Sequence, residues 1–209
     1  MVLIDAEPLH PAFWQRILQG DYWLFSRINQ KWTSSFLDSV FPFMRQGECW
    51  VPFYLFLVVF VTLNFRRKGW LWCLYVPMTF IISELLSRYL VSDHLFRLRP
   101  CNNPLWADSM RLLAGSCPTN SGFASPHACH IFAMAVFFYR TLGHTSPWWK
   151  GLFIWAFLTS YAQVYVGIHY PMDILIGGTL GAVVGMLTSR LFRLQAGYLY
   201  LQPHNSSHA

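Results

Sequence analysis

Charge is what this chain has least of: 11% of its 209 residues are Asp, Glu, Lys or Arg, where an ordinary soluble domain carries about 25%. Most of the surface therefore faces something other than water, and the 55% hydrophobic and 18% aromatic fractions point to hydrocarbon. Acidic residues are the scarcer sign, 9 against 15 basic ones, for a formal net charge of +6. A basic chain can serve nucleic acid, but these basic residues are scattered among aromatic apolar runs. Basic loops on one side of a membrane account for them better, so the expected partner is a membrane and not nucleic acid. No Ser-, Gly- or Pro-rich linker and no low-complexity tract divides the chain, which reads as a single domain, residues 1–209. Residues 1–20 hold Asp5, Glu7, Pro8 and Pro11 and no continuous apolar stretch, so a cleavable signal peptide is not expected. The five cysteines lack CxxC or any other zinc-ligand spacing. Cys49, Cys73 and Cys129 fall in or beside apolar segments as buried thiols. Cys101 and Cys117 bracket one polar loop, and either stay free or pair if that loop faces an oxidising compartment.

What is present is apolar sequence of helical length. Five segments read as membrane spans, together a transmembrane core over residues 50–193. They are Trp50 to Phe65, closed by Arg66-Arg67-Lys68; Gly69 to Val91, interrupted by Glu84 and Arg88; Pro126 to Tyr139, closed by Arg140; Trp148 to Val166; and Pro171 to Leu191, with Arg190 and Arg193 at its end. Several fall short of the roughly 20 residues of a straight span, so their ends enter the headgroup zone. Glu84 and Arg88, four apart, are expected to pair on one helix face. Gly177, Gly181 and Gly185, spaced by four, permit close helix packing. Residues 8–45 mix Trp14, Ile17, Leu18, Trp23, Phe25, Ile28, Trp32 and Phe36 with polar positions. That pattern predicts one or two amphipathic helices at the membrane surface, the second capped by Ser34 or Ser35. The expected fold class is all-α: a polytopic membrane helix bundle of about five spans plus N-terminal amphipathic interfacial helices. In that arrangement Arg66, Arg67, Lys68, Arg140, Lys150, Arg190 and Arg193 share one side without an acidic residue, and the positive-inside rule makes it cytoplasmic. The N-terminal region carries Arg16, Arg27, Lys31 and Arg45 on the other side, against that rule.

The same far side collects the chain's chemistry. His127 stands in Phe123-Ala124-Ser125-Pro126-His127-Ala128 at the head of one span, and His169 in Gly167-Ile168-His169-Tyr170-Pro171-Met172-Asp173 between two others. Arg99-Pro100 precedes both in a polar loop. A nucleophile with an acidic partner, a second proton-transfer group and a cation are the parts that phosphoryl transfer without a metal needs. Their order and spacing resemble the type 2 phosphatidic acid phosphatases. That family carries a Lys followed after six residues by Arg-Pro, then Pro-Ser-Gly-His, then Ser-Arg followed after five residues by His and after three more by Asp. The matching stretches here are Ser92 to Pro100, Ala124 to His127 and Ala162 to Asp173, and the resemblance covers about residues 51–191. The stretch Tyr165 to Pro171 is its most specific part. Two cations are missing, since Ser92 stands where the family has Lys and Gln163 where it has Arg. Ala124 and Pro126 replace the Pro and Gly that flank the family Ser.

The resemblance implies that His169 attacks phosphorus, that Asp173 holds its other ring nitrogen, and that His127 protonates the leaving oxygen and then activates water. It gives Arg99 and Ser125 phosphate-binding roles; of the departures, Gln163 can still donate an amide N–H to a phosphate oxygen, and Arg97 or His94 can fill part of the place of the missing Lys. No metal and no cofactor is implied. The expected activity is that of a membrane lipid phosphatase acting on a polyprenyl diphosphate or phosphorylated lipid, undecaprenyl diphosphate first among them. The implied location is the bacterial inner membrane, with the site on the periplasmic face. Each hydrogen bond to a charged group contributes roughly 1.5–3 kcal/mol. Two such losses left unreplaced would cost on the order of 10²–10⁴-fold in rate. The alternative reading is therefore a catalytically silent lipid-binding protein on the same fold. A vanadium haloperoxidase, from the family's soluble branch, fits poorly with the missing cations and the spans.

Overall fold

A computed structural model of the protein describes residues 11–88 and 96–201. Six helices make up most of it: α1 (Pro11–Ser26), α2 (Ser35–Met44), α3 (Val51–Leu85), α4 (Pro126–Leu142), α5 (Gly151–Tyr165) and α6 (Pro171–Ala196). No strand occurs among the described residues. The fold is the all-α membrane bundle that the apolar pattern predicts. Gly47–Arg88 and Pro171–Ala196 are each long and apolar enough to cross a bilayer.

α3 is two legs, not one rod. Arg66 leaves helical geometry at φ 49°, ψ −121°, and Gly69 lies against the backbone of Val61 and Thr62. A straight helix would hold positions eight apart roughly 12 Å from each other. The chain therefore doubles back within Arg66-Arg67-Lys68, and the legs 51–65 and 67–85 join α4, α5 and α6 in a bundle of five segments. α4 has 17 residues and α5 has 15, about 25 and 22 Å of helix against a hydrocarbon core of roughly 30 Å. The short helical turn Pro147–Lys150 extends the start of α5.

Side-chain contacts set the directions. Trp72 Nε1 donates to Thr141 Oγ1 at 2.9 Å and the Cys129 thiol meets the Ser83 carbonyl at 3.4 Å, so the second leg of α3 runs antiparallel to α4. α4 and α6 run parallel, because Gly177, Gly181 and Gly185 sit over the backbone of Ser125, Cys129 and Ala133 in step. Leu57, Trp72, Phe137, Phe138 and Phe192 fill the space between the helices. Leu55, Leu63, Trp70, Leu74, Ile154, Leu187 and Leu194 face outward. In hydrocarbon such a bundle is held by close packing, which the glycine stripe supplies, and not by escape from water. Glu84 and Arg88 pair at 2.5 Å as predicted.

The two ends differ. At one, Lys68 Nζ donates to the Tyr198 carbonyl at 3.3 Å and Arg193 to the Tyr198 hydroxyl at 3.1 Å, which gathers the basic turn beside the end of α6. At the other lie the loop 96–125, the turn 166–170 and the amphipathic segment. That segment is more than a surface float. Phe25, Ile28 and Phe41 are buried with Tyr165, Ile168 and Tyr170, while Phe13, Trp14, Trp23, Phe36 and Phe43 remain exposed. Asn29 clamps it in place, donating to the carbonyls of Arg111 and Tyr165 and accepting from Arg111 N, all at 2.8 Å. Ser34, one of the two predicted caps, accepts from Leu37 N at 3.3 Å and starts α2. Cys101 and Cys117 are bridged, with Cα atoms 6.0 Å apart.

Candidate active site

The turn between α5 and α6 builds His169. The Gln163 carbonyl accepts from Ile168 N at 3.1 Å and His169 N at 3.3 Å. Gly167 makes the reversal at φ 90°, where a Cβ would stand 2.7 Å from the Arg111 carbonyl, so only glycine fits. α6 begins at once with Pro171 in its first turn, and Asp173 accepts from Tyr170 N at 2.8 Å as its cap. The imidazole is left buried, with Nδ1 2.9 Å from the Gly122 carbonyl and Nε2 2.9 Å from Arg99 Nη1. A carbonyl can only accept and a guanidinium can only donate. The proton is therefore on Nδ1, and Nε2 presents its lone pair toward Arg99. Burial above all, with Arg99 adding to it and Asp173 opposing, pulls the His169 pKa below its ordinary value. The ring is neutral near neutral pH.

Asp173 does not make the contact that the resemblance implies. Its Oδ2 is 3.6 Å from His169 Nδ1, beyond hydrogen-bond range, and the Gly122 carbonyl is the nearer acceptor. The carboxylate is already engaged: Oδ2 caps α6 and Oδ1 accepts from Arg97 Nη1 at 2.8 Å. It acts on the ring through its charge. Arg97, expected at the phosphate, is committed behind Asp173 instead. Its other Nη donates to Asp21 at 2.5 Å, and its guanidinium lies over Tyr170, 4.1 Å from the ring centre. Burial works against its charge, yet the two carboxylates prevail and raise its pKa. Asp21, on α1, also accepts from Met172 N at 2.8 Å and so ties the amphipathic helix to the first turn of α6. Burial holds the Asp21 carboxyl above the usual carboxylate range even so.

Arg99 remains at the site. Asn120 and Ser121 hold its outer edge, through Nε to the Asn120 carbonyl at 3.1 Å, and Nη2 to Asn120 Oδ1 at 3.1 Å and the Ser121 carbonyl at 3.2 Å. Ser125 is buried as the N-cap of α4; its Oγ accepts from Ala128 N at 3.4 Å, and its N–H donates to the Asp173 carbonyl at 3.1 Å. That last bond stitches the two helix starts together. His127 follows in the first turn of α4, near enough to His169 for their charges to interact. Its Nε2 is buried with no hydrogen-bond partner. His130 packs beside it, ring centres 5.1 Å apart, and faces Glu84 at 3.8 Å. Gln163 is buried, and its Oε1 accepts from Arg45 Nε at 3.4 Å. Sequence reasoning did not place Arg45, Asp21 or Gly122 here. The one available signal was unspecific: Arg45 is one of four basic residues, with Arg16, Arg27 and Lys31, on the side where the positive-inside rule expects none. Ser92 and His94 lie outside the described residues.

Fold and site together define a class: an all-helical integral membrane protein that sets one imidazole against a buried guanidinium, with a second imidazole in the first turn of the neighbouring helix, at one end of its bundle. Residues 95–196 match the PAP2 superfamily. The chain is 32% identical to the lipid A 4'-phosphatase of Bacteroides thetaiotaomicron over 159 residues, 74% of this chain and 69% of that relative. It is also 32% identical to the undecaprenyl-diphosphatase of Sulfolobus acidocaldarius over 149 residues, 68% of this chain but 63% of the relative. The chain belongs to the PAP2 superfamily. Two crystal structures share its fold. LpxE of Aquifex aeolicus has a TM-score of 0.57 at 22% identity, covering 81% of this chain and 94% of that one. The phosphatidylglycerolphosphate phosphatase of Bacillus subtilis has a TM-score of 0.61 at 20% identity, covering 84% and 86%.

Proposed function

We propose that this protein is a membrane lipid phosphatase that works through a phosphohistidine on His169 and needs no metal. The observation that carries the reading is the state of His169: a buried neutral ring whose Nε2 lone pair faces a guanidinium. A phosphate drawn to Arg99 arrives in front of that lone pair, and Ser125 Oγ–H is free to donate to it. Nε2 forms the bond to phosphorus as the bond to the lipid oxygen breaks. His127, protonated once the phosphate dianion stands beside it, gives its proton to that oxygen. The positive charge then on the His169 ring is balanced by Asp173 at 3.6 Å and by the Nδ1–H bond to Gly122. In the second half His127, now neutral, takes a proton from water; the hydroxide adds to phosphorus, and the N–P electron pair returns to Nε2.

A lipid substrate suits the surroundings. A cavity of about 580 Å³ lies along α5 and α6, walled by Leu24, Ile28, Phe157, Val164, Ile174 and Ala182, and it includes Pro171, two residues past His169. An apolar chain lying there would leave its phosphate at the turn. The named relatives act on lipid A and on undecaprenyl diphosphate, and either lipid has the phosphate-on-a-hydrocarbon chemistry that this site accepts. The bridged Cys101 and Cys117 support an oxidising, periplasmic side for the site. The basic turn at the other end of the bundle supports a cytoplasmic location for that end.

The test is phosphate release by detergent-purified protein from a panel of undecaprenyl diphosphate, lipid A, phosphatidic acid and phosphatidylglycerol phosphate. The wild type releases phosphate from at least one, and His169→Ala does not. Rapid quench into base with ³²P-labelled substrate traps label on the wild type in up to equimolar amount. Equal background in both proteins would establish the silent lipid-binding alternative instead.

A further inference from the structure

The chain lacks the family Arg at Gln163, yet a guanidinium touches that residue. Arg45 comes from the far end of α2, 118 residues away in sequence, and its Nε donates to Gln163 Oε1 at 3.4 Å. Such a bond is long for N–H···O and weak, too little to account for a half-buried cation. Among the described residues no carboxylate lies within ion-pair reach of Arg45. Burial disfavours its charge, and no counter-ion among the described residues compensates. Its charge also acts on Arg99 and on His127, the groups already placed at the phosphate. Asp173 offsets part of this at Arg99, but the two guanidiniums still repel each other. An anion seated between them would reverse the sign of that interaction.

The placement of Arg45 is not accidental to a loose loop. Phe41, one turn earlier on α2, is buried edge-on against Tyr165 at 4.9 Å and Tyr161 at 5.6 Å, which flank Gln163 on α5. At the other end of the helix Asp38 accepts from the Tyr165 hydroxyl at 2.5 Å and pairs with Arg111. α2 is thus pinned to the last turn of α5 at two places, with Arg45 as its C-cap. A cation at a helix C-terminus is favoured by the macrodipole. That explains charge at the position, but not a side chain turned inward onto Gln163.

We propose that Arg45 is a phosphate-binding residue that supplies, from the amphipathic segment, the guanidinium which the family carries at the position of Gln163. The assignment rests on the phosphatase reading above. In it Gln163 Oε1 orients the Arg45 fork through Nε, and the Nη groups reach the phosphate oxygens opposite Arg99. The amphipathic helices then complete the site, and the chain keeps a second cation despite losing the family one.

The experiment uses full-length protein in detergent, with phosphate release from the best substrate of the panel and inhibition by orthovanadate as readouts. Arg45→Gln lowers kcat/KM about 10- to 100-fold, the loss of one charged hydrogen-bonding group, and weakens vanadate inhibition in parallel. Arg45→Lys keeps the stem and the charge and falls between the two. Gln163→Arg placed in the Arg45→Gln background restores at least tenfold of the loss, which a purely structural role for Arg45 would not allow. The assignment is overturned if Arg45→Gln keeps wild-type kcat/KM and vanadate inhibition. It is equally overturned if the double variant recovers nothing while it and Arg45→Gln both melt like wild type. Should Arg45→Gln not fold, unchanged vanadate inhibition and kcat/KM in Arg45→Lys overturn it, and a several-fold loss of both supports it. A wild type that neither releases phosphate nor is protected from unfolding by vanadate removes the phosphatase reading and this assignment with it; that outcome is read from the wild type alone.

Discussion

Gly181→Ala is expected to cost activity far more than stability. Three of the four glycines of α6, Gly177, Gly181 and Gly185, lie on the α4 backbone one turn apart. A Cβ at Gly181 would run into the Cys129 carbonyl oxygen, its nearest neighbour, and stand 2.8 Å from the carbonyl carbon and 3.0 Å from Ala133 N; one at Gly177 would stand 2.5 Å from the Ser125 carbonyl oxygen. Ordinary contact begins near 3.4 Å, so the helices must part by about 1 Å, since backbone cannot rotate away. Overpacking of this kind costs about 1–3 kcal/mol, of which the better helix propensity of Ala returns up to roughly 1 kcal/mol. The activity has no such offset. α4 carries His127 behind its cap Ser125, α6 begins two residues after His169, and Ser125 N–H to the Asp173 carbonyl at 3.1 Å joins them. A displacement of about 1 Å between reacting groups can cost on the order of 10²-fold in rate. The assay is kcat beside a melting curve, for Gly181→Ala and Gly177→Ala against three controls. At Gly178 the added methyl meets the Phe132 ring at 3.0 Å, which can turn aside, so Gly178→Ala loses much less. At Gly20 and Gly151 nothing lies within 4 Å, and those alanines leave activity unchanged. Wild-type kcat in Gly181→Ala, or an equal loss in Gly20→Ala, would refute the argument that helix separation sets the geometry of the site.

Two further expectations concern the His169 ring and the Cys101–Cys117 bridge. The pKa of His169 is depressed below 6.5 in the folded protein, so the unfolded chain takes up a proton first as pH falls. Its contribution to stability is complete above 6.5 and lost as pH falls through the folded value, and the acidic limb of kcat/KM also lies below 6.5. A wild-type kcat/KM profile whose acidic limb lies above 6.5 would contradict the buried neutral ring. The Cys101–Cys117 bridge closes a loop of 16 residues, worth about 3 kcal/mol, and that loop holds the Tyr170 hydroxyl through Asn103 at 3.0 Å and Trp106 at 2.9 Å. Cys101→Ser is expected to lower Tm by on the order of 5–10 °C. An unchanged Tm after reduction of the wild type would show that the bridge constrains nothing.

The linear chain carries whatever depends on neighbours in sequence. Helix-length apolar runs, the basic turn at Arg66 and the cap at Ser34 all act within a few residues, so periodicity and spacing reveal them. The pairing of Glu84 with Arg88 and the packing of Gly177, Gly181 and Gly185 were legible for the same reason, since one turn of helix sets both distances. What spacing could not supply is which group meets which across the fold. Gly122 holds His169 Nδ1 where Asp173 was expected, because the Asp173 carboxylate is drawn to its own helix cap and to Arg97. Arg97 in turn leaves the phosphate for Asp21, because two carboxylates outbid any site that is only transiently anionic. Gln163 reads as a lost cation in the chain, and only packing of Phe41 against Tyr161 and Tyr165 brings Arg45 beside it. Covalent proximity decides conformation over a turn or two; electrostatic partners are chosen by whatever the tertiary packing brings within a few ångströms.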